Sequence, residues 1–369
     1  MTAPHPKFPA QAIHRQIEAI FRAWGFPPDQ AATAADVLTE ADLLGIDSHG
    51  LTLIPLYQEF IDSGMVETNP HIRVARDFGA TAVIDGGGGF GQAPSIRAMD
   101  LAIDKARAFG IGAVGVRNSN HYGAAGVYAL RAAGQGFIGV STTAVYKPSI
   151  VPTFGRAARF GTNPIAFAAP GRRNRPFLLD MATSTVAMGK FKLYAREGKS
   201  IPPGWALDEA GQPQTDPTQA FRDRRMTPLG GSREMGSHKG YGLAAMVEIL
   251  STTLSGATYG PLRAADATRN DVGHFHLAMH PAAFRDEGAF EADLDALIDT
   301  LRATPPADPA QPVLVAGDPE YAARERRERE GVPLPRSLMA LVRDVAKRSG
   351  AEFTLVEPTA EKAAAMPRG

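Results

Sequence analysis

Short apolar runs alternate with segments of helical periodicity in the first half of the chain, and this alternation strongly constrains the fold. Strand-like runs at residues 81–84, 111–116 and 137–143 are separated by helical patterns at 94–109 and 123–133. Strands and helices that alternate in this way form a sheet covered by helices. The sequence therefore predicts an α/β core, of mixed α+β character once the remaining elements are included.

The rest of the pattern places helices at both sides of this core. Apolar residues at helical spacing predict helices over residues 13–24, 29–44 and 51–61, each ending at or near a glycine. Further along, we predict the following elements: strands at 72–75, 165–169, 177–179 and 272–279; helices at 183–196, 239–254, 290–301 and 321–330. Residues 197–233, rich in Gly, Pro, Asp and Arg, predict a long surface excursion. Residues 304–312 predict a linker.

Composition excludes several classes of protein. Lys plus Arg and Asp plus Glu number 39 each, so no global positive field favours nucleic acid or an anionic membrane. The absence of cysteine excludes disulfides, cysteine-ligated metals and thiol nucleophiles. The N-terminus lacks a signal-peptide pattern, and no apolar run approaches the ~18–20 residues of a membrane span. We therefore expect a cytoplasmic protein with no nucleic-acid or membrane partner.

A glycine run follows the strand at 81–84. Gly86, Gly88 and Gly91 match the G-x-G-x-x-G pattern of a dinucleotide-binding turn. The Rossmann pattern also requires an acidic residue after the next strand, and residues 117–120 here are Arg-Asn-Ser-Asn. A plain glycine turn is therefore favoured over a Rossmann site.

Ser48 and His49 stand at a polar corner before the helix at 51–61. With Asp47 they cannot form a hydrolase triad, because a triad needs side chains that converge from separate positions. A helix N-terminus disfavours imidazolium, so His49 held by Ser48 could transfer protons near neutral pH. The alternative is that Asp47 or Ser48 caps the helix and His49 is incidental. Sequence physics leaves both interpretations open.

Other histidines and a lysine form weaker candidates. His121 lies at a strand-to-helix corner, where exposed amides can meet a ligand or simply cap the helix. Lys239 lies beside the start of an apolar helix, which favours phosphate binding, though ordinary capping explains it equally well. His274, His276 and His280 have the spacing of a metal site, but a turn at Pro281 and the lack of nearby carboxylates disfavour it. We predict no metal.

Six motifs together carry a resemblance to a known family. They occur in the family's order over roughly residues 10–335. The sequence resembles the malate/L-lactate dehydrogenase family, which includes sulfolactate dehydrogenase, ureidoglycolate dehydrogenase and the piperideine-carboxylate reductases. The matching segments are residues 41–50, 116–123, 160–166, 179–184, 189–190 and 237–243.

The resemblance implies a fold, a cofactor and an assembly. It implies a non-Rossmann, sulfolactate dehydrogenase-like fold with a mixed sheet, and a helical domain built from both chain ends. The expected parts are residues 1–75, a helical N-terminal part; 76–310, the NAD(P)-binding and catalytic domain; and 311–369, which packs back on the N-terminal helices. The cofactor would be NAD or NADP, the substrate a small molecule, and the assembly a homodimer.

The resemblance also implies roles for individual residues. Ser48 and His49 match the proton-transfer element, Lys190 matches its polar partner, and Thr162 matches a substrate-side position. His121 lies where the family lines the nicotinamide. The other expected cofactor contacts are Tyr122, Gly123, Asp180, Met181, Ala182, His238, Lys239, Gly317, Asp318, Pro319 and Glu320.

One departure leaves the substrate open. The family usually carries an arginine four residues after the histidine, where it can bind a carboxylate; this chain has Leu53. Lys147 is our candidate replacement. The implied activity is hydride transfer between nicotinamide and a 2-hydroxy or 2-oxo acid. The alternatives are reduction of cyclic imino acids, and a catalytically silent nucleotide-binding homologue. Arg172, Arg173 and Arg175 could contact a 2′-phosphate or form a solvated turn, so the preference between NAD and NADP is also open.

Overall fold

The computed structural model describes residues 5–145 and 147–356. The strands are β1 (Lys7–Phe8), β2 (Arg73–Phe78), β3 (Thr81–Asp85), β4 (Ile111–Ser119), β5 (Ile138–Thr143), β6 (Ile165–Ala169), β7 (Phe177–Met181), β8 (Ala206–Leu207), β9 (Pro213–Gln214), β10 (Val272–Met279) and β11 (Val332–Pro333). The helices are α1 (Ala10–Ala23), α2 (Pro28–Leu43), α3 (Ile54–Asp62), α4 (Gln92–Phe109), α5 (Ala125–Ala133), α6 (Met188–Arg196), α7 (Pro217–Asp223), α8 (Ser237–Glu248), α9 (Ala289–Arg302), α10 (Asp318–Glu330) and α11 (Arg336–Ser349).

A seven-stranded mixed sheet forms the centre, in the order β2-β3-β4-β10-β5-β6-β7. Strands β3 and β4 pair in parallel through the crossover helix α4, and the other neighbouring pairs are antiparallel. A doubly wound Rossmann sheet is built from parallel strands. The predicted mixed sheet and non-Rossmann architecture are therefore confirmed.

A helical part is built from both ends of the chain, as predicted. Apolar residues of α1, including Ile13 and Ile17, share a core with Leu338 and Val342 of α11. Strand β1 pairs with β11, which ties the two ends together. The predicted boundaries at residues 75 and 310 remain predictions, and residues 1–4 and 357–369 lie outside the described chain.

Residues 197–233 form a small packed unit, so the prediction of a plain surface excursion was wrong. Strands β8 and β9 pair with each other, and α7 follows them. Phe191 of α6 shares a buried cluster with Ile201, Ala206 and Met226. These apolar residues are too widely spaced to show a period, which is why sequence analysis missed their common core.

Several helix boundaries also differ from prediction. Helix α6 begins at Met188 rather than 183, because the hydroxyls of Thr183 and Ser184 bond to nearby backbone carbonyls instead. The predicted helix at 51–61 opens with a separate 3₁₀ turn, Leu51–Leu53, before α3 begins at Ile54 with Pro55 in its first turn. Helix α11 was not predicted. Across the described residues, no helix has the length and apolar content required to span a bilayer.

Candidate active site

His49 ends a 3₁₀ turn, Asp47–His49, that connects α2 to α3. Two contacts hold this turn in place. The buried carboxylate of Asp42 accepts a hydrogen bond from the Leu51 amide at 2.9 Å, and Asp47 pairs with Arg327 of α10 at 3.1 Å. A Cβ atom at Gly50 would lie 1.9 Å from Asp42 Oδ1, so the backbone can reach this carboxylate only without a side chain there. The rigid turn gives His49 a defined position.

The imidazole of His49 has one occupied and one free nitrogen. Ser48 Oγ lies 2.7 Å from Nδ1, and Nε2 has no hydrogen-bond partner within residues 5–145 and 147–356. Desolvation of the half-buried ring lowers the pKa of His49 to about 4. The ring stacks on His121, with centroids 5.7 Å apart and planes at 21°. The structure thus brings Ser48, His49 and His121 together.

His121 follows β4 and is held by groups from three elements. Its Nδ1 lies 2.9 Å from the Tyr57 hydroxyl of α3 and accepts the Gly123 amide at 3.2 Å. Gln92 Nε2, at the start of α4, donates to the Tyr57 hydroxyl at 2.8 Å. Burial and, to a smaller extent, the neighbouring His49 lower the pKa of His121 to about 3. Both rings are therefore neutral near pH 7.

The glycine loop after β3 supports the His121 corner. Gly91 donates its amide to the His121 carbonyl at 3.0 Å, and Asn120 Nδ2 donates to the Gly88 carbonyl at 3.1 Å. A Cβ at Gly91 would lie 2.5 Å from the Asn120 carbonyl oxygen. The glycines are thus required for close approach of two backbone segments, in agreement with the preference for a plain turn.

The predicted cofactor segments at Asp180 and residues 317–320 lie together. Asp180 Oδ2 accepts the Gly126 amide in the first turn of α5 at 2.7 Å. Burial, with a smaller effect of Glu320, raises the pKa of Asp180 to about 6. The Leu178 amide bonds to the Ala316 carbonyl at 3.1 Å, which ties the 317–320 turn to β7. Helix α5 therefore connects these segments to the His121 corner.

Individual members of these segments differ in exposure. Tyr122 is 1% exposed and stacks on His274 at 4.6 Å, so its side chain belongs to the core. Met181 and Ala182 are half-buried at the end of β7. Gly317 has a φ of 103°, and Asp318 pairs with Arg302 at 2.6 Å. Pro319 follows in the first turn of α10.

The start of α8 offers a second group of predicted cofactor contacts. Lys239 is exposed and makes no hydrogen bond or ion pair through its side chain to any described residue. His238 is exposed and bonds to Arg233 at 3.0 Å. A cavity of about 450 Å³ adjoins the helix start, and Arg156, Arg233 and Ser237 are among its lining residues. Cationic side chains around an uncapped helix start provide the donors that a nucleotide phosphate requires.

Three predicted residues make no direct bond to the histidine pair within the described chain. Lys190 is exposed on the first turn of α6, Lys147 is exposed before Ser149, and Thr162 is half-buried with its carbonyl bonded to the Thr183 amide. In the described chain no hydrogen bond or ion pair joins these three side chains to Ser48, His49 or His121. Leu53 is 6% exposed and packs in the core of the helical part.

Two of the three arginines considered for a 2′-phosphate already pair with acidic side chains. Arg173 pairs with Asp299 at 2.7 Å, and Arg175 pairs with Glu325 at 2.6 Å. Arg172 is exposed. This turn is therefore largely neutralised by its own neighbours.

Among the histidines of the metal hypothesis, His274 is bonded through both ring nitrogens to hydroxyl groups. Thr143 Oγ1 lies 2.7 Å from Nδ1 and Ser119 Oγ lies 3.0 Å from Nε2. His276 is fully buried, and neither of its nitrogens has a partner among the described residues. In those residues no group of three or more His, Asp and Glu side chains is placed to hold a metal ion.

Sequence analysis missed Tyr57 and Gln92. Both are buried: the Tyr57 hydroxyl of α3 bonds to the His121 ring, and Gln92 of α4 donates to that hydroxyl. A signal was available, because a tyrosine within an apolar helix must find a partner for its hydroxyl when it is buried. The sequence alone could not show that this partner is His121.

Comparisons with known proteins agree with this architecture. The malate/L-lactate dehydrogenase family model matches residues 8–343. Malate dehydrogenase of Pyrococcus abyssi is 38% identical over 93% of this chain and 95% of its own length. Among solved structures, malate dehydrogenase from Entamoeba histolytica superposes with a TM-score of 0.89 at 32% identity, covering 94% of this chain and 99% of that one. The Δ1-piperideine-2-carboxylate reductase of Pseudomonas syringae gives a TM-score of 0.81 at 28% identity, covering 92% and 99%. The chain therefore belongs to the malate/L-lactate dehydrogenase family of oxidoreductases.

Proposed function

We propose that this protein is an NAD(P)-dependent dehydrogenase that transfers hydride between nicotinamide and a small 2-hydroxy or 2-oxo acid. Family membership supports the reaction type. The observation that carries the proposal is the Ser48–His49 pair, whose imidazole keeps Nε2 free and stacks on His121. A neutral imidazole with one unoccupied nitrogen is suited to general acid–base catalysis.

His49 moves the proton in the proposed reaction. In the oxidative direction its Nε2 would accept the proton of the substrate hydroxyl. A nicotinamide, when bound, would supply the hydride acceptor for the carbon that carries this hydroxyl. Ser48 orients the ring through Nδ1 and can bond to either protonation state, since a hydroxyl both donates and accepts. In the reductive direction His49 returns the proton to the oxygen.

The residues present suit a dinucleotide. Asp180 and the 317–320 turn adjoin the start of α5, while Lys239 and the cavity beside it supply positive charge. We propose that these two places hold the cofactor. Titration with NADH and NADPH, followed by ligand fluorescence, tests the proposal and determines the preference between the two.

The substrate's carboxylate needs a partner other than residue 53, since Leu53 is buried in the helical core. We propose Lys147 for this role because its exposed side chain follows β5. Lys147→Ala should then raise KM for an acidic substrate severalfold. An unchanged KM would remove Lys147 from the site.

A second candidate function is the reduction of cyclic imino acids. The likeness to a piperideine-carboxylate reductase favours including it, and the absence of the usual arginine does not exclude it. Initial rates on a panel of 2-oxo acids and cyclic imino acids with both cofactors separate the two activities. Cofactor binding without turnover of any panel member would instead indicate a silent homologue.

We also propose that the protein is a homodimer. Apolar side chains of Met246, Ile249 and Leu254 are exposed along α8 and the π-helical turn that continues it. Apolar patches of this kind mark contacts between chains. Light scattering coupled to size-exclusion chromatography gives the mass in solution, and a monomer at micromolar concentration would contradict this proposal.

A further inference from the structure

The two stacked histidines differ in the partners of their Nδ1 atoms. Nδ1 of His49 meets a serine hydroxyl, which can donate or accept. Nδ1 of His121 meets the Gly123 amide at 3.2 Å, and an amide N–H can only donate. The lone pair of His121 must therefore be on Nδ1, which leaves the hydrogen of the neutral ring on Nε2.

Tyr57 strengthens this assignment. Gln92 Nε2 donates to the Tyr57 oxygen at 2.8 Å, which directs the hydroxyl hydrogen towards His121 Nδ1 at 2.9 Å. Gln92 is 1% exposed, and Phe90 stacks on the Tyr57 ring at 4.1 Å, so both groups have little freedom to turn away. Two donors thus converge on one ring nitrogen.

Protonation of His121 Nδ1 would place the new hydrogen against the hydrogens that Tyr57 and the Gly123 amide direct at this nitrogen. The groups in contact with this ring are His49, Tyr57 and the Gly123 amide, and His274 is near enough to act on it electrostatically. None of them is an anion that could stabilise imidazolium. The lowered pKa of His121 agrees with this arrangement. His49 can gain a proton and keep its serine bond. His121 cannot gain one on Nδ1 without losing the Gly123 amide bond and reversing the Tyr57 bond.

We propose that Tyr57 is a positioning residue that holds His121 as the neutral Nε2–H form. His121 then donates a hydrogen bond from Nε2 to the substrate oxygen that changes charge during hydride transfer, and His49 carries the proton. This division of roles rests on the proposed function, whereas the protonation state of His121 in the free protein does not. A donor of this type stabilises charge on the substrate oxygen as it develops.

The first experiment measures the free protein and needs no substrate. Long-range ¹H–¹⁵N correlation spectra of ¹⁵N-histidine-labelled protein, assigned with the His121→Gln variant, distinguish a protonated from an unprotonated ring nitrogen. We expect unprotonated Nδ1 and protonated Nε2 for His121 from pH 5 to 9. Tyr57→Phe should shift the Nδ1 resonance. Tyr259→Phe, which removes a hydroxyl bonded to the Arg159 carbonyl, is the control and should leave it unchanged.

The second experiment measures reduction of oxaloacetate. Glutamine can replace an Nε2–H donor but cannot carry a proton, so His121→Gln should keep kcat within about tenfold of the wild type. His121→Ala should lower kcat by ~10²–10³-fold, as expected for loss of one donor. His49→Gln should be as impaired as His49→Ala.

Protonated Nδ1 in free His121, or a His121→Gln variant as inactive as His121→Ala, would overturn the assignment. If the wild type turned over no substrate, the proposed function would fail, and the spectra alone would decide the role of Tyr57.

Discussion

The acid limb of the pH profile for alcohol oxidation should lie well below the ordinary range of histidine. The base that accepts the hydroxyl proton must be neutral, and burial lowers the pKa of His49 to about 4. At pH 5.5 about 97% of a group with this pKa is neutral, compared with about 9% of a histidine at the ordinary 6.5. Oxidation should therefore be nearly as fast at pH 5.5 as at pH 7.5.

The assay follows kcat/KM for oxidation of malate between pH 4.5 and 8.5, because this ratio reports the groups of the enzyme before substrate binds. Saturating cofactor keeps the titration of Asp180, whose pKa is raised to about 6, from affecting the result. His49→Ala supplies the baseline and should lower kcat by ~10²–10⁴-fold. A tenfold fall by pH 5.5, with a limb centred near 6.5, would refute the link between the burial of His49 and its role as base.

Three further perturbations test the surrounding structure. Burial lowers the pKa of His276 to about 3, so between pH 6.5 and 3 the unfolded chain binds a proton that the folded chain does not. Between pH 6.5 and 4.5 this costs the wild type about 2 kcal/mol of unfolding free energy, and His276→Leu should abolish that loss in urea unfolding. Parallel losses in both proteins would contradict this. Gly126→Ala places a Cβ 2.8 Å from Asp180 Oδ2 and should displace that carboxylate. Fluorescence titration should then show NAD(P)H binding weakened about tenfold, which is about 1.4 kcal/mol. Unchanged affinity would remove this contact from the cofactor site. Lys239→Ala should weaken the same binding more at low salt than at high salt, and a salt-independent loss would argue against a phosphate contact.

Local pattern was sufficient for much of the fold. Helical spacing predicted α1 and α2, and the strand-to-helix corner after β4 indicated His121 as a candidate site residue. The bond between Ser48 and His49 was one of two interpretations that their adjacency before a helix left open. The periodicity of apolar residues and the adjacency of two residues can both be read directly from a sequence.

Long-range contacts could not be predicted in the same way. Tyr57 and His121 are 64 positions apart, and no periodicity connects them. Likewise, the sequence did not predict that Ile201 and Met226 pack in the same buried cluster. The burial of Leu53 depends on the turn that precedes α3, which the predicted continuous helix at 51–61 did not include.

The pairing of the two chain ends has a consequence for biosynthesis. Phe8 pairs with Val332, and Arg327 holds the turn that carries His49, so the N-terminal helices lack these contacts until most of the chain has left the ribosome. The apolar surface that the N-terminal helices pack against α11 therefore stays uncovered until the last helices are made. Nascent chains expose that surface throughout translation, and the turn that carries His49 is fixed in place at the end of synthesis.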